Sequence, residues 1–271
     1  MATREDLRKL QSQPLDDKVQ CTLGLISEWY AYWDNQCYVS FSGGKDSTVL
    51  ADIAAKWCAI AGIPLDLVFV DTGLEYPDIK EHVRDFAQYL REKYDIDVQL
   101  TVLRPKMTFA EVITKYGYPM IGKQSASKIC AKRRGAKWTD LYFAEADTSR
   151  YNVSKWKALC DVDFNISDKC CDVMKKSPAH TYGATTGRKA IVGTKADESL
   201  QREAKWKQYG CNAFSLKVPL SKPMSFWLEQ DVLAYTKSNA LPIASVYGDV
   251  VFADDPEQIR MDESFCGRMW T

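Results

Sequence analysis

Short apolar runs alternate with longer amphipathic stretches along the first hundred residues. The runs at 37–41, 65–71 and 98–103 have the length and composition of buried strands. After the first run, apolar side chains recur at helical spacing, namely at Val49, Leu50, Ile53, Ala54 and Trp57. Strands separated by helices are typical of a parallel sheet with right-handed crossovers. The pattern therefore predicts an α/β fold, with a mostly parallel doubly wound sheet and helices on both faces.

The same pattern divides the rest of the chain. Apolar runs at 190–195 and 213–219 predict two further strands, and Ser225 is placed to cap a helix that continues to Tyr235. Little periodicity follows that helix. We expect three regions: an N-terminal helical extension at 1–35, one sheet domain at 36–240, and an irregular C-terminal tail at 241–271.

The turn after the first strand carries the strongest chemical signal. It has the sequence Ser42-Gly-Gly-Lys-Asp-Ser47 and stands directly before the first helical pattern. Gly43 and Gly44 let a ligand approach the main chain, and Lys45 adds a mobile cation. A helix capped here by Asp46 or Ser47 directs unpaired N–H groups and the positive end of its dipole at the turn. We therefore predict a phosphate site formed by Ser40 and the six residues of the turn.

A second polar segment follows the second strand. Asp71, Thr72 and Gly73 begin the turn there, as the phosphate turn follows the first strand. Ligands of parallel sheets bind beyond the carboxyl ends of the strands. We expect these residues to line the same crevice, although a polar strand end without a ligand has the same sequence.

Composition excludes several classes of protein. The chain has 36 Lys and Arg against 36 Asp and Glu, so no global field attracts nucleic acid or a membrane. No apolar run approaches the roughly 20 residues of a membrane span, and the first residues lack the apolar core of a signal peptide. Nine cysteines without a secretion signal indicate thiols, metal ligands or redox groups rather than disulfides. We expect a cytoplasmic enzyme.

One segment departs from this balance. Residues 122–137 contain six cations and no acid. They fit either a solvated helix face or a basic flap over phosphates or a nucleic acid backbone. Because the whole chain is neutral, a small anionic substrate is favoured over nucleic acid.

Two later segments add cations and thiols. Lys195 and Arg202 flank a helix start that Thr194 or Asp197 can cap, and we expect both to hold phosphate or sulfate oxygens in the crevice. The alternative for Arg202 is a surface ion pair with Glu198 at i, i+4.

The adjacent Cys170 and Cys171 fall in the first turn of a predicted short helix, which Ser167 caps and Pro178 ends. The helix dipole and nearby lysines favour the thiolate there. Cys171 is our choice for the reactive thiol, and two packed core residues are the alternative.

The turn at Ser42–Ser47 resembles the pyrophosphate-binding loop (PP-loop) of the ATP pyrophosphatase superfamily. Three further motifs resemble the phosphoadenosine phosphosulfate (PAPS) reductase family within it, in the right order: Asp71-Thr-Gly-Leu-Glu-Tyr-Pro77, the Lys-Cys-Cys segment at 169–171, and Gly193-Thr-x-Ala-x-Glu-Ser-x-x-Arg202. The resemblance implies a Rossmann-like sheet of the adenine nucleotide alpha hydrolase type. It also implies ATP or a related adenine nucleotide with Mg²⁺, and adenosine against the Asp71 segment.

Departures from the family pattern bear on the chemistry. Dedicated reductases usually have a degenerate phosphate loop, whereas this chain has the full one. They also use a C-terminal cysteine within Glu-Cys-Gly, and here Cys266 follows Phe265. Relatives that hold an iron–sulfur cluster add a Cys-x-x-Cys to the cysteine pair, and this sequence has none. Cys171, Cys211 and Cys266 are the candidate ligands for such a cluster.

The leading hypothesis is a PP-loop enzyme that cleaves ATP between the α and β phosphates and adenylylates an acceptor in sulfur metabolism or sulfur transfer. Its expected catalytic residues are Lys45, Cys171 and Arg202. The first alternative is a thiol-dependent reductase of PAPS or adenylyl sulfate. The second is a nucleotide-binding partner protein without turnover. A sulfur-carrier or redox protein is the expected macromolecular partner.

Overall fold

The computed structural model describes residues 2–144, 149, 151–252 and 259–261. In chain order, its helices are α1 Arg4–Gln11, α2 Leu15–Tyr32, α3 Lys45–Ala61, α4 Pro77–Tyr94, α5 Phe109–Tyr116, α6 Lys123–Arg133, α7 Asp140–Phe143, α8 Ser177–Thr186, α9 Leu200–Tyr209 and α10 Glu229–Ser238. Its strands are β1 Cys37–Ser40, β2 Leu65–Val70, β3 Val98–Leu103, β4 Lys189–Val192, β5 Asn212–Ala213, β6 Leu220–Ser221, β7 Val250–Phe252 and β8 Ile259–Met261. Short 3₁₀ helices occupy Lys137–Thr139, Ser154–Cys160 and Ser245–Tyr247, and a π-helix occupies Asp172–Lys176.

The chain folds into two compact units. Of the described residues, the first unit comprises those within Met1–Phe69, Glu75–Leu103 and Thr181–Thr271, and the second comprises those within Val70–Leu74 and Arg104–His180. Among the described residues, no helix has both the length and the apolarity that a membrane crossing requires.

A six-stranded sheet in the order β3-β2-β1-β4-β6-β5 organises the fold. The central strand β1 pairs in parallel with β2 on one side and β4 on the other, through Val39↔Leu67 and Val39↔Ile191. β6 is also parallel to β4, and β5 runs antiparallel to β6. The predicted α/β fold with a mostly parallel sheet is confirmed.

The predicted strand at 213–219 is wrong. Only Ala213 from that run lies in a strand, and the chain turns back over the next six residues before β6 begins at Leu220. Pro219 has no N–H that could donate a hydrogen bond to a neighbouring strand. Val218 is exposed, so its side chain does not contribute to the core as the pattern predicted. The helix predicted from Ser225 also begins later, at Glu229, because residues 223–226 form turns.

The core of the first unit surrounds β1 and α3. The largest of its fully buried side chains include Trp29, Tyr30, Phe41, Phe86, Phe226 and Trp227. Some charged side chains are buried as well, and the Asp52 carboxylate of α3 is wholly buried. It accepts hydrogen bonds from Lys93 Nζ at 2.8 Å, Tyr94 Oη at 3.1 Å and Tyr235 Oη at 2.8 Å. Asp52 therefore joins α3 to α4 and α10, and a buried carboxylate needs such partners.

The second unit has a smaller core of Ala126, Ile129, Phe143, Val153 and Ile166. Cys170 and Cys171 start a helical segment as predicted, but Pro178 does not end it. The intervening π-helix explains the error. The Ser177 N–H bonds to the Asp172 carbonyl, five residues back, so the turn before Pro178 is already widened. A widened turn accommodates the proline ring and its missing N–H, and the helix continues to Thr186.

Buried His82 predicts a pH dependence of stability. Its Nε2 lies 3.1 Å from Thr48 Oγ1 on α3, and burial lowers the pKa of His82 from 6.5 to about 4. Between pH 6.5 and about 4, His82 is therefore protonated in the unfolded state but largely neutral in the folded state. The free energy of unfolding should fall as the pH drops from 6.5 towards 4, by up to about 1.4 kcal/mol per pH unit from this group.

Urea unfolding at several pH values would measure this slope. Because glutamine does not titrate, His82→Gln should reduce this slope. The number of protons taken up on unfolding should be smaller by up to one than in the unmodified chain. The matched control is His180→Gln, which removes the chain's other histidine at an exposed position. Equal slopes for the parent and the His82 variant would contradict the prediction.

Candidate functional site

The glycine turn forms a compact loop at the carboxyl end of β1. Helix α3 begins at Lys45 and its N-cap is Gly44, so the predicted caps, Asp46 and Ser47, are wrong. The extended backbone of Gly44 replaces a side-chain cap and leaves the helix N-terminus open. Ser47 braces the loop instead: its hydroxyl donates to the Gly44 carbonyl at 2.8 Å and accepts from the Ser42 N–H at 3.2 Å.

The hydroxyls of the loop therefore differ in availability. Ser47 is buried and already bonded within the loop, whereas Ser42 is exposed. The two hydroxyl oxygens lie 3.0 Å apart. Ser40 ends β1 between β2 and β4, where Val68 and Val192 are its partners in register. Of these serines, Ser42 is the one best placed to meet a ligand.

Two glycines allow the loop to pack closely. Gly43 has φ +74°, and a Cβ there would lie 2.8 Å from Ile79 Cγ2 and 3.0 Å from Val83 Cγ2 on α4. Gly193 follows β4, and a Cβ there would lie 3.0 Å from the Asp46 carbonyl oxygen. The end of β4 therefore approaches the first turn of α3 at backbone distance. Only glycine permits both approaches.

Four charged side chains form a closed ring beside the loop. Lys45 Nζ contacts Asp46 Oδ2 at 2.8 Å and Glu229 Oε1 at 2.9 Å. Lys195 Nζ contacts the other oxygen of each carboxylate, Asp46 Oδ1 at 2.6 Å and Glu229 Oε2 at 2.5 Å. Cations and anions alternate around this ion-pair ring (Lys45, Asp46, Lys195 and Glu229), and its formal charge is zero. The Lys195 side chain is only 4% exposed, whereas that of Glu229 is 48% exposed.

The ring holds Lys45, Lys195 and Asp46 in their charged forms. Burial alone disfavours the ammonium of Lys45 and of Lys195, but hydrogen bonds to Asp46 and Glu229 outweigh it and raise the pKa of both lysines. Burial likewise opposes the Asp46 carboxylate, and Lys195 and Lys45 outweigh that effect and lower its pKa. Two ammonium groups are thus fixed at the start of α3, where the helix dipole also favours an anion.

Arg202 lies in the first turn of α9, whose N-cap is Ser199 rather than the predicted Thr194 or Asp197. Its guanidinium pairs with Glu198 at i, i+4, which is the ion pair predicted as the alternative role of Arg202. The Lys195 N–H donates to Glu198 Oε1 at 2.7 Å, so Arg202 is connected to Lys195 through Glu198. Among the ion pairs of the described residues, none joins Arg202 to the loop itself.

Asp71, Thr72 and Gly73 follow β2 and belong to the second unit. The Asp71 carboxylate accepts from the Gly73 N–H at 3.0 Å, and the Thr72 hydroxyl accepts from the Leu74 N–H at 3.3 Å. These bonds shape a tight turn, with Gly73 at φ +83°. Their part in nucleotide binding stays a prediction.

The cysteines give a mixed result. Cys171 is exposed, whereas burial and the neighbouring Cys171 raise the pKa of Cys170, against the expected lowering at a helix start. Burial raises the pKa of Cys211 to about 11, which disfavours a thiolate ligand there. Cys266 lies outside the described residues. Within the described part of the chain, no group of three or more His, Cys, Asp or Glu side chains could hold a metal ion.

The basic segment forms α6, and several of its cations have partners within the second unit. Lys123 pairs with Asp172 at 2.8 Å, and Lys132 pairs with Asp140. Arg133 donates to the carbonyl oxygens of Phe164 and Val162 at 2.7 and 2.9 Å. These contacts give the segment a structural role.

Sequence reasoning missed Glu229, Gly193 and Tyr247. Glu229 is the first residue of α10, and its contact with Lys45 spans a separation in sequence that no local pattern reveals. Gly193 begins the motif at 193–202, but its closeness to α3 depends on the sheet order. Tyr247 lies within 241–271, where the sequence has little periodicity.

One family model matches a segment near the start of the chain. Residues 36–140 match the family model described as the phosphoadenosine phosphosulfate reductase domain. The match includes the loop and the Asp71 segment, and it confirms the family resemblance there. It ends before the cysteine pair, Lys195 and Arg202.

Two uncharacterised proteins of Methanocaldococcus jannaschii are similar in sequence. One is 33% identical over 129 residues, which are 46% of this chain and 29% of the relative. The other is 26% identical over 144 residues, which are 53% of this chain and 28% of the relative. The aligned part of the chain therefore spans less than a third of the length of either relative.

Two solved structures have a similar arrangement of elements. They are an NH3-dependent NAD synthetase from Campylobacter jejuni in complex with the nitrate ion and an NMN synthetase from Francisella tularensis. Both are 13% identical in sequence and superpose with a TM-score of 0.41. The alignments cover 84% and 85% of this chain, and 75% and 73% of theirs.

Proposed function

We propose that this chain, whose residues 36–140 match the model of the phosphoadenosine phosphosulfate reductase domain, is a PP-loop enzyme that binds ATP at Ser42–Ser47. It would cleave ATP between the α and β phosphates and transfer the adenylyl group to an acceptor in sulfur metabolism or sulfur transfer. The acceptor would carry a nucleophilic oxygen, such as an oxyanion.

The ion-pair ring is the observation that carries this proposal. It fixes two ammonium groups beside an open helix N-terminus, at a loop whose glycines admit close approach. Phosphate charge on this loop would meet Lys45, Lys195 and the backbone N–H groups together. Such preorganised positive charge is the main means by which proteins catalyse phosphoryl and adenylyl transfer.

The reaction itself needs positioning more than covalent chemistry from the protein. The acceptor oxygen attacks the α-phosphorus, the bond from that phosphorus to the bridging oxygen breaks, and pyrophosphate leaves with the bond electrons. Lys45 and Lys195 would neutralise the charge that grows on the leaving pyrophosphate. Exposed Ser42 would donate to a phosphate oxygen.

Mg²⁺ fits the carboxylates at the loop. Asp46 and Glu229 offer the hard oxygen ligands that Mg²⁺ prefers, and this ion commonly combines one or two carboxylates with substrate phosphates. When bound, it would supply further charge neutralisation. Asp46 and Glu229 would be free to hold it once the phosphates take over their lysine partners.

Incubation of the chain with α-labelled ATP and candidate acceptors tests the proposal. We expect labelled acceptor and pyrophosphate in equal amounts. Lys45→Met should lower the rate at least tenfold, since it removes an ammonium group from the loop. The matched control is Lys56→Met, which removes an exposed lysine of the same helix and should leave the rate unchanged.

Exposed Cys171 favours the second candidate, a thiol-dependent reductase of PAPS or adenylyl sulfate. The name of the matching family model favours it too. Release of sulfite in the presence of a dithiol, without pyrophosphate, and its loss in Cys171→Ser would establish this function in place of the first. Tight ATP binding with neither product would instead indicate a nucleotide-binding partner protein.

A further inference from the structure

Tyr247 brings a phenol to the mouth of the loop. It belongs to the 3₁₀ helix Ser245–Tyr247, far from the loop in sequence. A Cβ built on Gly44 would lie 3.3 Å from the Tyr247 hydroxyl oxygen and 3.4 Å from Ser42 Oγ. Two hydroxyl groups therefore converge on the space beside Gly44, the N-cap of α3. A ligand on the helix N-terminus would occupy this space.

The segment that carries Tyr247 is held in place. The Ser245 hydroxyl donates to Asp78 Oδ1 in the first turn of α4 at 2.6 Å. The Tyr247 N–H donates to the Ala244 carbonyl at 3.0 Å, and Ala244 is buried in the core of the first unit. The phenol is thus positioned by the same helix, α4, that packs against Gly43. Its place beside the loop is fixed by the fold.

The hydroxyl is protonated and available. Burial raises the pKa of Tyr247 above its ordinary value of 10, so the phenol is a donor at neutral pH. Lys45 and Asp46 are the charged groups that act on it, with opposite signs, which agrees with its place beside the loop. Among the hydrogen bonds of the described residues, none involves this hydroxyl. A phenol half-buried beside a phosphate loop therefore has a donor to offer.

We infer that Tyr247 donates a hydrogen bond to a phosphate oxygen of the nucleotide on the loop, opposite Ser42. The inference rests on the proposed function, because it requires a nucleotide at Ser42–Ser47. It adds a phosphate-contacting residue from the C-terminal region, beyond the family match at 36–140. We expect this contact with the phosphates and not with the nucleoside, since the hydroxyl lies beside Gly44, where the proposed site holds the phosphates.

Titration calorimetry with ATP, pyrophosphate and adenosine would test the contact. Tyr247→Phe keeps the ring and removes only the donor. A hydrogen bond to a charged group supports an expected loss of about tenfold in affinity for ATP and for pyrophosphate. Adenosine binding should not change, because adenosine has no phosphate. The matched control is Tyr32→Phe, which removes the hydroxyl of an exposed tyrosine on α2 and should leave all three affinities unchanged.

The possible results distinguish a failure of this inference from a failure of the proposed function. If the unmodified chain binds neither ATP nor pyrophosphate, the proposed function is wrong and this inference with it. If the unmodified chain binds both and Tyr247→Phe binds them equally well, the function stands and the inference is overturned. An equal loss for adenosine would also overturn it, since the hydroxyl would then act on the nucleoside. Thermal unfolding of the variant should match that of the parent.

Discussion

Gly43→Ala should weaken ATP binding and lower the rate of the proposed reaction by roughly a hundredfold, which is the order of rate loss that a misplacement of about 1 Å causes. The added methyl would lie 2.8 Å from Ile79 Cγ2 and 3.0 Å from Val83 Cγ2. It would also sit on a residue at φ +74°, a conformation that L residues rarely adopt. Since α4 cannot yield without disturbing the core, the loop must move. We expect a loss of about 1–3 kcal/mol in the free energy of unfolding as well.

The same helix supplies a control that separates strain from contact. Gly62 caps the other end of α3 at φ +67°, and a Cβ there meets no atom within 4 Å. Gly62→Ala should lower the free energy of unfolding by about 1–2 kcal/mol through backbone strain alone. ATP affinity, measured by calorimetry on both folded variants, should fall only for Gly43→Ala. Equal ATP affinities for the two variants would contradict our account of the loop.

The sequence predicted those features that depend on neighbours in the chain. The first three strands, the glycine turn and the helix after it are local patterns, and each appears where expected. Lys195 also lies at the loop, because the end of a strand next to β1 in a parallel sheet must reach the same edge. Register and strand order then place Gly193 against Asp46.

Features that depend on distant contacts escaped prediction. Glu229 joins the ion-pair ring because Asp52 fastens α10 to α3, through a hydrogen bond from Tyr235. No spacing in the sequence encodes that contact. Tyr247 escaped for a similar reason, since its 3₁₀ helix is too short to show a period. The hydrogen bond between Ser245 and Asp78 positions it. The cap at Gly44 escaped because an extended glycine can replace the side-chain cap that a pattern search requires.

Lys195→Met should weaken both the fold and the site. The buried ammonium contacts Asp46 and Glu229 at 2.6 and 2.5 Å. Breaking a fully buried pair costs about 3–5 kcal/mol, and we expect about 2 kcal/mol here because both carboxylates keep some exposure. The variant would also change the charge of the ion-pair ring from zero to −1. ATP, itself strongly anionic, should then bind at least tenfold more weakly. Methionine keeps a long unbranched chain, so packing is largely preserved.

The acid sensitivity of the variant gives a second readout. Lys195 helps to lower the pKa of Asp46, and a lowered pKa contributes stability that is present above the ordinary value of 3.8 and lost below it. Without Lys195 this contribution is smaller. The free energy of unfolding of Lys195→Met should therefore be lower than that of the parent at neutral pH, and it should decrease less steeply as the pH falls below 4. The control is Lys207→Met, which removes a partly exposed pair with Glu203 and should cost less than about 1 kcal/mol.

A double variant that also removes the charge of Glu229 distinguishes the effect of losing a cation from the effect of leaving the ion-pair ring with a net charge. In Lys195→Met with Glu229→Gln, the ion-pair ring returns to zero charge while Lys45 keeps Asp46 as its partner. The double variant should therefore be more stable than the sum of the single losses predicts, with a coupling of about 1 kcal/mol. It should also recover part of the affinity for ATP measured without Mg²⁺, the ion for which Glu229 is a proposed ligand. Additive losses in stability, together with no recovery of affinity, would show that the four side chains do not act as one ring.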